Sequence, residues 1–563
     1  MDALLLATLI VGGTALLSLP LGRYMTWAMD PTGPAPRRAG LERLFARVAG
    51  PLGHEQQGWK QYAIAMLAFN ALMFVVSFAF VALQQHLPLN PDAKGAVEAS
   101  LVFNTVASFT SNTNLQHYSG EVSMSYLSQL LSLMWLQFVS AATGIAALAA
   151  LARGLAGRPE MGNFLVDLQR ATLLVLLPLA LIVATLMALG GVPMTLSGAA
   201  SATTLEGVQQ VIARGPVAAF LAIKQLGTNG GGFFGPNCTH PFENPTFWTN
   251  GLSMICILLV PMCSVWMFGR IVGRPRHARL VFAVMLVLLF GKIAVAVWFE
   301  TAPTQAFAAL PEVEQVAGNF EGKEMRFGTP YGSGPLWSVL TTCTSNGSVG
   351  AMHDSLNPMA GLMPMVGMWL NATFGGVGVG MINMFVYIVV AVFLAGMMVG
   401  RTPEYLNRRV EAREMKLAVL TVLAHALFIL VGAAVFAATP WGRDTLANWG
   451  PHGFSEILYE FSSASANNGS GFEGLGDNTV PWNVATGLVM LLNRYVPILL
   501  PLAIAGSLAR KRRTAESAGT LGVQDATFGA MLLGTILLVG ALTFLPAAVL
   551  GPIAEHLLFA QQS

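Results

Sequence analysis

The sequence predicts an all-α polytopic membrane protein: ten transmembrane helices, with four pseudo-symmetric helix–pore-loop–helix repeats around a central selectivity filter. Three observations carry this. Of the 563 residues, 54% are hydrophobic and only 10% charged, against about 25% charged in average usage. Apolar runs of about 18 or more residues, each long enough to span a bilayer, recur along the whole chain. One short motif is also written four times: Thr110-Ser-Asn-Thr-Asn114, Gly227-Thr-Asn-Gly-Gly231, Thr344-Ser-Asn-Gly-Ser348 and Ala466-Asn-Asn-Gly-Ser470. Aligned on their starts, these copies place Asn112, Asn229, Asn346 and Asn468 third, and Thr113, Gly230, Gly347 and Gly469 fourth. The starts lie 117, 117 and 122 residues apart, by subtraction of the residue numbers.

The expected spans are 3–22, 61–86, 123–152, 169–191, 247–272, 279–300, 359–400, 416–438, 484–508 and 525–547. The first lacks the basic start and the small-residue cleavage site of a signal peptide, so it reads as a membrane helix. Before each motif runs a segment too short to cross: 98–109, 213–226, 333–343 and 454–464. A helix of 10–12 residues covers about 15–18 Å, roughly half the hydrocarbon core. The backbone that follows is non-helical at membrane depth, which is tolerated where it is buried in protein or lines a wet cavity. The organisation is therefore an N-terminal helix and cytoplasmic loop (1–60), pore repeats at 61–153, 169–272, 279–400 and 416–509, and a C-terminal helix (525–563). Periods near 117 are too long for a solenoid.

Charge gives the orientation. Loops opposite the motifs hold 22 of the 30 Lys and Arg, with clusters at 37–47, 270–279, 401–416 and 510–513. The motif side has six: Lys94, Arg214, Lys224, Lys323, Arg326 and Arg443. By the positive-inside rule the motifs open outward and both termini are external, an alternation that works with ten spans and fails with nine or eleven.

The chemistry of the motifs points to a monovalent cation. A dehydrated potassium or sodium ion needs several oxygens at once, each a dipole rather than a full charge. The motif cores hold no Asp or Glu and offer carbonyls, hydroxyls and amides. Asn-Gly and Gly-Gly pairs are ordinary turn formers, but four in register argue against chance. Gly227–Gly232 resembles a phosphate-cradling loop yet lacks the GK[ST] ending, and no Asp-Lys-Thr segment occurs, so no ATP hydrolysis and no catalytic residue is expected. The sequons at Asn346 and Asn468 read as filter backbone. The four cysteines (Cys238, Cys256, Cys263, Cys343) form no CxxC and suggest neither a disulfide frame nor a zinc site. No nucleic-acid module is present.

FNTVASFTSNTNLQHYSGE (103–121), IKQLGTNGGGFFGPNCTHPFENPT (223–246), TTCTSNGSVGAMHDS (341–355), FGGVGVG (374–380), GRTPEYL (400–406) and GPHGFSEILYEFSSASANNGSGFEGL (450–475) closely resemble the KdpA family over essentially the full length. This is the family of potassium-translocating subunits of the bacterial Kdp pump, within the superfamily of potassium transporters. The resemblance implies a carbonyl-lined filter that takes potassium from outside and passes it through an intramembrane tunnel. It implies an inner-membrane complex with a separate P-type ATPase subunit that hydrolyses ATP, a small single-span subunit and a C subunit, in contact with membrane lipid. Potassium is the transported substrate.

By that resemblance the filter involves Ser111, Asn112, Thr113, Thr228, Asn229, Gly230, Ser345, Asn346, Gly347, Asn467, Asn468 and Gly469, with Gln116 at the outer mouth. Gly375, Gly376 and Gly378, in the Gly-rich stretch interrupting the third post-filter span, are expected to lie under the filter and block straight passage. An intramembrane Arg is costly and usually lines a pore or pairs with a partner; Arg494 is expected just below the filter, deterring cation leak. Lys292, mid-span where the family usually has an apolar residue, is expected to snorkel or to bind an acidic lipid or subunit. His425 reads as a hydrogen-bonded packing residue. The family commonly has Gly-Glu where this chain has Asn371-Ala372, so any steering by that Glu is carried differently here.

Overall fold

The computed structural model describes residues 2–31, 36–301, 333–398, 400, 402–514 and 522–561. Lys323, Arg326 and Arg401, used above for orientation, lie outside them. Among the described residues ten helices are long and apolar enough to cross a membrane. After α1 (Asp2–Met29) and the short α2 (Pro36–Val48) come four triplets. The first is α3 (Trp59–Ala82), α4 (Ala99–Thr110) and α5 (Ser128–Ala156). The second is α6 (Phe164–Leu189), α7 (Val217–Leu226) and α8 (Phe247–Ile271), with the hairpin β1 (Ala200–Thr203) and β2 (Gln209–Ile212) between α6 and α7. The third is α9 (Pro275–Thr301), α10 (Ser333–Cys343) and a broken span, α11 (Pro358–Leu370) then α12 (Val379–Met398). A small hairpin, β3 (Glu404–Tyr405) and β4 (Arg408–Arg409), leads to α13 (Ala412–Ala438), α14 (Gly450–Ala466) and α15 (Val480–Arg510). The chain's last span is α16 (Ala526–Leu558).

The two spans of each repeat differ in burial. The post-filter spans α5, α8, α12 and α15 are 83%, 72%, 83% and 61% buried over their most apolar windows, against 22%, 28%, 56% and 28% for the pre-filter spans. A helix apolar all round that is buried belongs to the interior, and one that is apolar but exposed faces lipid. The post-filter spans are therefore the inner ring. α1 packs along α8, and α15 packs on α4, which joins the fourth repeat to the first.

Local sequence sets the ends. Thr246 caps α8 with Oγ1 accepting from the Thr249 amide (3.2 Å), and Asp525 caps α16 through the Phe528 amide (2.9 Å). The first and last spans run on past the expected 22 and 547, to Met29 and Leu558. The short, polar α2 and both hairpins carry too little periodicity to read from sequence. On the basic face, Arg153, Arg158 and Arg170 are pinned by Asp30, Asp167 and Glu42, which ties α2 and the start of α6 to the end of α5.

Candidate filter and gate

Each pore helix stops at the motif and turns back on itself in the same way. The amides of Thr113, Asn229, Asn346 and Asn468 each bond the carbonyl five residues earlier, on Ser108, Lys224, Thr341 and Ser463 (2.8–3.2 Å). Asn112, Thr228, Ser345 and Asn467 precede them with φ of 59, 47, 49 and 51°. This corrects the register read from sequence. In the first repeat Asn112 stands where the others have Thr228, Ser345 and Asn467. Thr113 is then the partner of the three asparagines, and Asn114, not Thr113, matches Gly230, Gly347 and Gly469. Asn-Thr-Asn permits either alignment; the helix end decides between them.

All thirteen proposed ion-site residues come to one place except Gln116, which sits just outside. All but Gln116 are buried. The loops bond around a ring. Asn112 Nδ2 donates to the Gly227 and Thr228 carbonyls (both 3.1 Å), and Asn346 Nδ2 reaches back to Lys224 and Gln225. Asn468 Nδ2 donates to the Thr341 carbonyl (2.9 Å), and Asn467 Nδ2 to Thr113 Oγ1 (3.0 Å). Ser111 Oγ meets Thr113 Oγ1 at 2.8 Å. The side-chain oxygens of Asn229, Asn346 and Asn468 accept from the amides two residues on (3.0–3.2 Å). These asparagine side chains therefore hold the loops rather than line a path.

What they leave over is main chain. Among the described residues, the carbonyls of Thr113, Asn229, Asn346 and Asn468 accept no hydrogen bond from protein. These four are structurally equivalent, one from each repeat. A buried carbonyl without a donor is uncommon, and four in symmetric positions are the candidate oxygens for a cation stripped of its water. Glycines permit the close approach. A Cβ on Gly230 would stand 1.8 Å from the Asn346 carbonyl oxygen, one on Gly347 2.1 Å from that of Asn468, and one on Gly469 2.1 Å from the Asn114 amide.

Behind the second loop, Lys224 and Glu243 form an ion pair buried on both sides, and Glu243 Oε1 accepts from the Phe233 and Phe234 amides (2.7 and 2.9 Å). Lys224 is thus a filter strut, not a charge of the outer loops. The fully buried Lys224 was hidden by its pore-helix position, and Glu243 signals itself only as part of HPFENPT. Gln116 clamps the same loop, with Oε1 accepting from the Gly232 amide (2.7 Å) and Nε2 donating to its carbonyl (3.1 Å). Next to it, His117 bonds Asn483 Oδ1 (2.7 Å) and Glu460 Oε1 (3.1 Å). Burial disfavours its charged form, but Asp477 and Glu460 outweigh that and raise its pKa to about 9.

The Gly-rich stretch lies against three of the repeats, and Asn371 just before it reaches the fourth. The Gly375 amide bonds the Cys343 carbonyl (2.8 Å), and the Val377 amide bonds Thr228 Oγ1 (3.0 Å). Gly378, at φ +76°, abuts the Gly144 carbonyl of α5, and the nearest neighbour of a Cβ on Gly376 would be Ser345. Asn371 completes the ring: its Oδ1 accepts from Ser345 Oγ (2.9 Å) and its Nδ2 donates to the Ala466 carbonyl (3.2 Å). Asn371 also ends α11 at φ +42°, a conformation Asn tolerates. Arg494 is buried beside this loop, its Nη2 on the Ser140 carbonyl (3.0 Å), while Ser140 Oγ donates to Asn112 Oδ1 (2.8 Å).

Lys292 neither snorkels nor faces lipid. It is 6% exposed and donates to Thr373 Oγ1 (2.8 Å) at the entrance of the Gly-rich stretch. His425 is held by Ser465 Oγ (2.9 Å) and the Met368 carbonyl (3.1 Å), as a packing residue would be.

Residues 8–557 match the family KdpA, potassium-transporting ATPase A subunit. The chain belongs to the KdpA family. It is a multi-pass membrane protein of potassium transport. Its fold is similar to that of the potassium transporter TrkH from Vibrio parahaemolyticus, with a TM-score of 0.51 at 12% identity, covering 88% of this chain and 97% of that one.

Proposed function

We propose that this chain is the potassium-binding and translocating subunit of a high-affinity, ATP-driven Kdp uptake pump in the bacterial inner membrane. Potassium enters from the motif side, which faces outward together with both termini. It sheds water at the ring of carbonyls on Thr113, Asn229, Asn346 and Asn468. The ion then leaves sideways through an intramembrane tunnel to a P-type ATPase subunit, in a complex with a small single-span subunit and a C subunit. The observation that carries this reading is the pairing of a donor-free carbonyl ring with a break in α11–α12 seated beneath it. Family membership supports the pump assignment.

Physical reason supports the closed path. An open cation pore would run down the gradient a pump builds, at about 2.3 kcal/mol per charge per 100 mV. The Gly-rich stretch obstructs the axis, and Arg494 adds a fixed positive charge beside it. The alternative is a stand-alone or ion-coupled potassium transporter of the same superfamily, a reading compatible with the fold shared with TrkH. Flux through the isolated chain in liposomes separates the two. The pump reading expects negligible potassium flux from the intact chain, a rise on shortening residues 374–380, and copurification with a P-type ATPase chain. Large potassium currents from the intact chain alone would favour the stand-alone reading.

A further inference from the structure

A cavity opens on the basic face, at the far end of the inner ring. Its volume is about 340 Å³. The ends of α5, α8 and α15 and the β3–β4 hairpin that follows α12 converge around it. Arg274, Arg408 and Arg513 line it, and no carboxylate does among the described residues. Arg408 is only 4% exposed. Its Nη1 donates to the Leu155 carbonyl at the end of α5 (2.9 Å), but its buried Nε has no acceptor. Arg513, exposed at the rim, donates to the Ala156 carbonyl (3.1 Å), and Arg274 to Asn407 Oδ1 (3.2 Å). Burial, and then the neighbouring Arg513, push the Arg408 guanidinium pKa down.

We propose that this cavity binds a phosphate group. A planar guanidinium presents a rigid fork that matches phosphate oxygens two at a time. A buried charged donor without an acceptor is costly, and a phosphate oxygen satisfies the Arg408 Nε. The volume lies in the range of small-ligand sites and accommodates a phosphate with a glycerol- or ribose-sized attachment. Two sources carry that chemistry on a basic membrane face: an anionic lipid headgroup and a soluble phosphate. An occupant would bind the β3–β4 hairpin, which joins the third repeat to the fourth, to the ends of α5 and α15.

The test uses the full-length chain. Its melting temperature is followed in detergent with sodium phosphate against sodium chloride at matched ionic strength. Native mass spectrometry then reads lipid retained after reconstitution in phosphatidylcholine with or without phosphatidylglycerol. Arg513→Gln is the primary variant, because an exposed side chain leaves folding intact; Arg408→Gln is the second, and Arg443→Gln the remote control. Losing one charged hydrogen-bonding partner should weaken binding about tenfold, with Arg513→Lys restoring part of it. Stabilisation by inorganic phosphate that Arg513→Gln removes assigns a soluble phosphate. Retained phosphatidylglycerol that Arg513→Gln removes assigns a headgroup. No difference between the native chain and Arg513→Gln in either arm overturns the proposal.

Discussion

Gly230→Ala separates a backbone filter from an ordinary turn. Gly230 has φ +75°, where a residue with a Cβ is disfavoured by about 1–2 kcal/mol. The added carbon would lie 1.8 Å from the Asn346 carbonyl oxygen and 2.6 Å from the Ser348 amide nitrogen, against 3.4 Å for ordinary contact. The obstacle is main chain, so no rotamer change relieves it, and the Asn346 carbonyl must retreat by more than an ångström. That carbonyl is one of the four proposed ion ligands. That strain is present with and without the ion, so it lowers stability; the affinity loss comes from displacement of a ligand oxygen, for which we expect about 100-fold, or about 3 kcal/mol at 1.4 kcal/mol per decade. Calorimetric potassium binding to the purified chain, and potassium-stimulated ATPase activity of the complex, should both shift that far. Gly376→Ala is the matched control: its nearest new contact is 3.5 Å, at Ser345 Cβ, and binding should change by less than about threefold. Native potassium dependence in well-folded Gly230→Ala, or an equal loss in Gly376→Ala, would refute the reasoning.

Arg494→Gln should leave potassium binding near native but raise cation flux through the isolated chain in liposomes, because the fixed charge below the filter is gone; unchanged flux would leave Arg494 as a strut for Ser140. Lys292→Met keeps the side-chain volume and removes both a buried charge and the bond to Thr373. The melting temperature should hold or rise, while the loosened Gly-rich stretch should admit more leak. The outer mouth should be pH-sensitive: His117 has its folded pKa raised from 6.5 to about 9, so its contribution is complete below pH 6.5 and lost as pH rises through 9. At about 1.4 kcal/mol per unit this amounts to at most about 3 kcal/mol. Thermal melts at pH 6.5 and pH 9 should differ in the native chain and differ less in His117→Gln, where Glu473, raised by burial to about 8, still titrates; an equal difference in both would count against it.

The spans were legible because length and apolarity are global properties of a membrane helix. The third pore helix is found at the expected 333–343, as Ser333–Cys343, and the span expected at 247–272 is Phe247–Ile271. Glycine content also announced the break in α11–α12, since no other feature explains four glycines within seven residues. What stayed hidden depends on which atom meets which. The one-residue register of the first repeat is fixed by the bond from the Thr113 amide to Ser108, and sequence spacing cannot distinguish it from the alternative. Lys224 read as a charge of the motif side and Lys292 as a mid-span lysine seeking lipid or a subunit, but each is held by a partner from elsewhere in the chain: Glu243, and Thr373.

The asymmetry of the repeats, more than their symmetry, carries the functional argument. Four equivalent carbonyls require near-identical helix ends, and the shared bonds to Ser108, Lys224, Thr341 and Ser463 supply them. A symmetric inner ring would leave a continuous path along the axis below those ends. Among the described residues only the third repeat breaks its inner span; there the Gly375 and Val377 amides are satisfied by Cys343 and Thr228, the Asn371 side chain bonds the Ala466 carbonyl, and Gly378 packs on Gly144. Polar main chain at membrane depth is stable only when so partnered. The obstruction is therefore held in place by the same loops that form the filter, through Thr228 Oγ1 and Ser345 Oγ. A change in the filter loops would be felt in the Gly-rich stretch beneath them. Thr228→Val tests this link, since it removes the acceptor for the Val377 amide while preserving shape. It should raise leak through the isolated chain more than it weakens potassium binding. Equal loss of both, or loss of binding alone, would mean that Thr228 serves the ion directly and that filter and obstruction are independent.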